Sequence, residues 1–319
     1  MEVYSFVGVL GFALAAYSVI ANDSIQTLGT FLSSNRHRPW WVMWIFAAAV
    51  LCFAILYGWS LNDGDVSYGR LDKIPLPESM SFWYLLAPIS LLILTRYGLP
   101  VSTTFLILSI FSAKAIPSML TKSLLGYVVA FAFGAVMVVI IRSLTQGMAK
   151  KPVSDSARPY WVLLQWITTA FLWGQWLIQD LANIYVFLPR SVGSVTVTIS
   201  LIYCCALLAY VFYVRGGKIQ SVVEEKTGIQ DIRVATFIDM IYSITLYIFK
   251  GLSNIPMSTT WVFLGILAGR EIGLMLMRAQ ENKSNPEVLA TCGRDISKAG
   301  LGLVVSIVIA LGVPYLIAS

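Results

Sequence analysis

One short segment occurs twice, and the rest of the chain has to be arranged around it. Pro100-Val101-Ser102-Thr103-Thr104 returns as Pro256-Met257-Ser258-Thr259-Thr260, 156 residues later in a chain of 319. The likeness runs from Gly98–Ile116 to Asn254–Ile272, where seven of nineteen positions are identical and Lys114 is matched by Arg270. Leu and Ile matches mean little in an apolar chain. A Pro-x-Ser-Thr-Thr pair at half-chain spacing points to an internal repeat. Proline disfavours helix in the residue before it and suits a first helical turn, while Ser and Thr are favoured N-caps. Each copy is therefore predicted to start a helix whose tip, with its hydroxyls and backbone N–H groups, attracts an anion. The bland reading is a proline-kinked helix whose hydroxyls bond back to their own turn. Duplication favours the first reading.

A second pattern repeats with the motif. The apolar run Val3–Ile20 ends in Ala21-Asn22-Asp23-Ser24-Ile25-Gln26-Thr27-Leu28-Gly29-Thr30, and Tyr160–Ile178 ends in Gln179-Asp180-Leu181-Ala182-Asn183. Asp23 precedes Ser102 by 79 residues, and Asp180 precedes Ser258 by 78. Polar breaks in apolar segments are costly unless they line a site, so both runs are expected to interrupt their helices there.

Composition fixes the class of solvent. The chain is 58% hydrophobic and 12% charged, whereas a soluble domain carries about 25% charged residues. Its mean hydropathy is +0.77, and several apolar runs approach the roughly 20 residues that cross a bilayer. The expected fold is an all-α membrane protein of about ten transmembrane segments in two inverted repeats with interrupted helices. Residues 1–145 form the first repeat, 146–158 a basic cytoplasmic linker and 159–319 the second repeat. With five crossings per half and the N-terminus outside, fifteen of the 22 basic residues fall inside and six outside, with Arg270 left in a span. That split obeys the positive-inside rule, and an odd number of crossings inverts the repeats. The net charge of +6 then belongs to cytoplasmic loops rather than to a nucleic-acid surface. No cleavable signal peptide is expected, because the first apolar run ends in Asn22-Asp23. Cys52, Cys204, Cys205 and Cys292 show no metal spacing.

These paired motifs resemble the inorganic phosphate transporter family of the PiT type over nearly the full chain. That family carries Gly-Ala-Asn-Asp-Val-Ala-Asn-Ala-x-Gly in each half, followed by Pro-x-Ser-Thr-Thr-His. Ala21-Asn22-Asp23 and Gly29-Thr30 match the first signature, with Gln26 at an Asn position. Asp180, Ala182 and Asn183 match the second, with Gln179 at an Asn position and Val186 in place of the glycine. Phe105 and Trp261 stand where the family has His. The resemblance implies a secondary active phosphate carrier, driven by Na⁺ (or H⁺) through alternating access at a mid-membrane site. The expected location is the cell (inner) membrane, as a multi-pass protein in the lipid bilayer. The family also suggests a homodimer.

On that reading Asn22, Asp23, Gln26, Gln179, Asp180 and Asn183 hold the coupling cation, since carboxylates and carboxamides are hard oxygen ligands. Ser102, Thr103, Thr104, Ser258, Thr259 and Thr260 donate to the anion. No cofactor is expected, and nothing suggests an enzyme; without a Walker motif, ATP drive would need a partner. Sulfate or another oxyanion on the same fold, or a channel or receptor, are the competing functions. Asp239 stands alone in its span, with Trp83 at the matching offset, and is read as a proton relay, a third cation site or a structural pair. Lys250 is expected to snorkel, Arg270 and Glu271 to pair, His37 to be solvated, and the Trp161–Trp176 run to pack.

Overall fold

The Ser5 hydroxyl accepts the Gly8 N–H at 3.0 Å and caps the first long helix, α1, Phe6–Ser34. The structure is a computed structural model of this chain and describes residues 5–97, 101–145, 153–216, 231–252, 257–277 and 284–318. Pro100, Pro256 and most of the basic linker lie outside the described residues. After α1 come α2 (Trp40–Leu61), α3 (Leu86–Arg96, led by a 3₁₀ turn Phe82–Leu85) and a short helical piece with a π turn at Thr104–Leu108 that ends in α4 (Ser109–Phe111). Then follow α5 (Ile116–Thr145), α6 (Arg158–Tyr185), α7 (Ser194–Tyr213), α8 (Ile232–Leu252), α9 (Thr259–Leu276) and α10 (Asn285–Ala318). The described residues contain no strand. Among the described residues, seven helices are long and apolar enough to cross a membrane. The fold class is therefore all-α and membrane-spanning, as composition required.

The polar runs do not break their helices, which corrects the expected interruptions at Ala21–Thr30 and Gln179–Asn183. Both α1 and α6 continue through them. The reason is local. Ser24 donates to the Ile20 carbonyl and Thr27 to the Asp23 carbonyl at 3.2 Å, so hydroxyls find acceptors inside the helix itself. At 29 residues, α1 is about 43 Å long, more than the roughly 30 Å hydrocarbon core demands.

The interruption falls in the span expected over Gly98–Ile116. Nine helical residues, 103–111, end at Ser112, whose φ of −154° and ψ of 90° are extended. Nine residues reach only about 13 Å, less than half the hydrocarbon core. The matching α9 runs unbroken for 18 residues. Ser109, which donates back to the Phe105 carbonyl, corresponds to Gly265 in α9. Such back-bonding bends a helix. Gly265 instead lets α9 lie against α5, because a Cβ there would come within 2.5 Å of the Tyr127 carbonyl oxygen. Gly269 makes the same close approach to the Phe131 carbonyl. Small residues at four-residue spacing let helix backbones meet in this way.

Residues that the charge count assigned to one side meet on one side. The Arg190 guanidinium, after α6, donates to the Ile74 carbonyl in the α2–α3 connection at 2.9 Å, and Val192 N–H donates to Gly64 at 3.0 Å. At the opposite ends of these helices Arg215 donates to the Arg36 carbonyl at 2.8 Å, and Arg38 stacks over the Trp166 ring at 5.3 Å. Asp72 and His37 are both exposed, one in each group. In a cysteine-free background, an impermeant thiol reagent added outside cells should label Asp72→Cys and spare His37→Cys. The reverse pattern would overturn the expected orientation.

Candidate functional site

The most polar side chains of the helices are among the most buried residues. Asp23, Asp180 and Asn183 are fully buried, Asn22 and Gln26 nearly so, and both Ser-Thr-Thr segments are buried throughout. In α1 the Asn22 amide donates to Asp23 Oδ1 at 2.7 Å and the Gln26 amide, three residues on, reaches the same oxygen at 3.4 Å. In α6 the Asn183 amide, also three residues on, donates to Asp180 Oδ1 at 2.6 Å. The two halves thus hold their acids in the same manner, by an i, i+3 carboxamide on one helix face.

The duplicated segments close the site from the other side. Ser102 Oγ accepts the Phe105 N–H at 3.2 Å and Ser258 Oγ accepts the Trp261 N–H at 3.3 Å. Both serines therefore cap a helix start, as their sequence predicts, and each keeps its own O–H to donate. The segments also reach across to each other. Thr104 donates to the Met257 carbonyl at 3.2 Å, and Thr260 donates to the Val101 carbonyl at 3.4 Å. Both donors and both acceptors sit at the 156-residue offset, so the contact is reciprocal between equivalent positions, the hallmark of a two-fold arrangement.

Hydroxyls also join the segments to the acids. Thr103 lies beside Asp23 and Thr259 beside Asp180, again at matching positions. Thr104 lies 3.4 Å from Asp180 Oδ1. The Asn183 amide also donates to Thr103 at 3.2 Å and to Thr104 at 3.3 Å. Asn183 therefore bridges the halves, donating both to Asp180 of the second and to Thr103 of the first, and the charge of Asp180 acts on Asp23. Tyr242 of α8 fixes α9 from behind by donating to the Thr259 carbonyl at 3.1 Å.

Among the described residues, seven buried side-chain atoms have no partner. They are Asp23 Oδ2, Asp180 Oδ2, Asn183 Oδ1, Gln179 Oε1 and Gln175 Oε1, together with Nε and Nη1 of Arg70. The first five are all oxygens. Unpaired buried acceptors are costly, and a set of them is what a hard cation would satisfy. Four belong to residues the sequence singled out. Two carboxylates rather than three are present, and among the described residues there is no group of three His, Cys, Asp or Glu.

Of the twelve residues predicted for the site, eleven lie in this network or cap it. Gln179 stands apart, its amide turned to the Leu246 carbonyl at 3.4 Å. Sequence reasoning missed Gln175, one helical turn before Gln179 on the same face; that i, i+4 spacing was a readable signal. It also missed Ser123, whose hydroxyl accepts the Ser258 N–H at 2.9 Å, and Arg70. Asp239 proves to be held outside the main network: Thr30 donates to one of its oxygens at 2.6 Å and Thr169 to the other at 2.5 Å. Thr30 lies seven residues beyond Asp23 in α1, about 10 Å along the helix toward the Arg36 side. The Trp run packs as expected, with Trp173 stacked on Trp176 at 4.8 Å, and Arg270 pairs with Glu271 at 2.6 Å.

The helices of this membrane fold thus gather buried acids, amides and hydroxyls from both halves into one network. Comparison with known proteins agrees at the level of the fold. A solved structure described as the sodium-dependent phosphate transporter superposes with a TM-score of 0.62, covering 98% of this chain and 98% of that one at 18% identity. No protein-family model matches the chain, and no curated protein sequence matches it.

Proposed function

We propose that this protein is a secondary active transporter of inorganic phosphate, coupled to Na⁺ or H⁺, in the cell (inner) membrane. The observation that carries the reading is the reciprocal contact of the two Ser-Thr-Thr segments beside two buried acids, one of which Thr104 meets directly. The repeat boundary in 146–158 and the inverted order of the halves fit that reciprocity. The unpaired oxygens of Asp23, Asp180 and Asn183 take the cation. The serine hydroxyls, which keep their O–H to donate, turn it to the anion, and the threonine hydroxyls exchange their present acceptors for the anion's oxygens. A cation beside the anion offsets the cost of burying either one alone, which makes coupling obligate. The name of the structural neighbour supports phosphate and sodium. The acids favour phosphate too, since a partly protonated anion needs an acceptor that sulfate does not.

Labelled phosphate and sulfate uptake into proteoliposomes, with and without a Na⁺ gradient, tests this. The expected result is phosphate accumulation that collapses when the cation gradient is removed. Sulfate outcompeting phosphate would move the reading to another oxyanion, and gradient-independent equilibration would favour a channel.

A further inference from the structure

Arg70 belongs to the connection between α2 and α3, yet it is only 2% exposed. A basic loop residue ordinarily reaches water. Here the backbone prevents it. Asp63, Gly64, Tyr68 and Gly69 all have positive φ, which folds the loop back on itself. Asp65 clamps the turn, accepting the Ser67 N–H at 2.7 Å, the Ser67 hydroxyl at 2.6 Å and the Gly69 N–H at 2.6 Å. Tyr68 donates to the Ala54 carbonyl of α2 at 2.5 Å, and Ser191 donates to the Asp63 carbonyl at 2.7 Å. The loop is thus fastened to two neighbouring elements, and Arg70 is held inward by design of the turn rather than by a partner of its own.

The charge of Asp180 acts on Arg70, which acts in turn on Lys122 of α5, itself 8% exposed. Arg70 and Asp180 form no ion pair, and each keeps unpaired buried atoms: Nε and Nη1 on one side, Oδ2 on the other. A buried cation and a buried carboxylate that do not touch leave donors and an acceptor to be matched by something between them. Burial pushes the Arg70 guanidinium down only to about 10, with Asp180 pulling the other way, so the group stays charged near neutrality. A charged guanidinium with two idle N–H groups is matched by an oxyanion, and the carboxylate oxygen by the cation that accompanies it.

We propose that Arg70 is a direct ligand of the transported oxyanion, donating from Nε and Nη1 on the α2–α3 side of the site while the Ser-Thr-Thr hydroxyls donate from the other. This rests on the carrier reading above. It adds a guanidinium to a site otherwise built from hydroxyls. The position matching Arg70 is Lys226, which lies outside the described residues.

The test is phosphate uptake by proteoliposomes carrying the parent protein, Arg70→Gln or Arg70→Lys, with half-saturation and maximal rate measured separately for phosphate and for the cation. Arg70→Gln should raise the phosphate half-saturation about tenfold or more, and Arg70→Lys, which keeps the charge but not the planar donors, about threefold. Cation half-saturation at saturating phosphate should stay within about twofold, which a merely structural role would not predict. Phosphate half-saturation unchanged in either folded variant, with the parent transporting normally, overturns the assignment and leaves the carrier reading intact. A parent that neither binds nor moves phosphate or sulfate removes both together.

Discussion

Asp180→Asn should cut cation-driven phosphate uptake by about a hundredfold or more while leaving a folded protein. The substitution keeps the size and removes the charge. It also turns an acceptor into a donor in a place crowded with donors: Asn183 at 2.6 Å and Thr104 at 3.4 Å both point at Oδ1. Arg70 loses the carboxylate that offsets its burial. A buried charge left without compensation costs about 3 kcal/mol or more, which corresponds to roughly two decades in affinity. Asp23→Asn should lose less, because Asp23 has Asp180 rather than a cation as its charged neighbour, and removing one of two like charges relieves repulsion. Uptake at several fixed Na⁺ concentrations separates the two. If Asp180→Asn kept the cation dependence of the parent, Asp180 would be a helix-to-helix strut and nothing more.

The pair of acids was legible in the sequence because it repeats with the Ser-Thr-Thr segments at nearly constant spacing, and chance does not keep two such intervals. What each acid touches was not legible. Nothing in the spacing says that Asn183 of the second half would bridge to Thr103 of the first. Helix continuity through Ala21–Thr30 was misread because hydropathy counts Ser and Thr as polar, while inside a helix their hydroxyls bond to the preceding turn. Hydropathy also hid the break at Ser112, since Phe111 and Ala113 on either side of it are apolar. Arg70 was invisible for a different reason. In the sequence it sits among Asp63, Asp65, Asp72 and Lys73 and reads as one more solvated loop charge. Only the run of positive φ angles from Asp63 to Gly69 turns it inward, and glycine at two of those four positions was the sole hint. Asp239 was rightly marked as unusual, and its two threonine partners come from helices 209 and 70 residues away in sequence, a distance no local pattern reports.

Thr104 and Thr260 hold equivalent places in the repeat, so the sequence alone assigns them equal weight. The geometry does not. Thr104 lies between Asp180, the Met257 carbonyl and the Asn183 amide, and so joins an acid, the facing segment and the bridging carboxamide. Thr260 reaches the Val101 carbonyl at 3.4 Å, and its segment meets Asp180 through Thr259 instead. Valine matches threonine closely in shape and lacks the hydroxyl. In Thr104→Val the anion loses a donor and the Asn183 amide loses the hydroxyl that orients it, so the expected cost is about 2 kcal/mol, or roughly thirtyfold in phosphate affinity. In Thr260→Val one long bond is lost, and about 1 kcal/mol, or fivefold, is expected. The double variant should cost less than the sum, because both hydroxyls brace the same pair of segments and neighbours in one network are not additive. Equilibrium binding of labelled phosphate to the purified protein decides it. Equal losses in the two single variants would mean that the bound state restores the symmetry of the repeat. Losses absent from both would remove the threonine hydroxyls from the anion site.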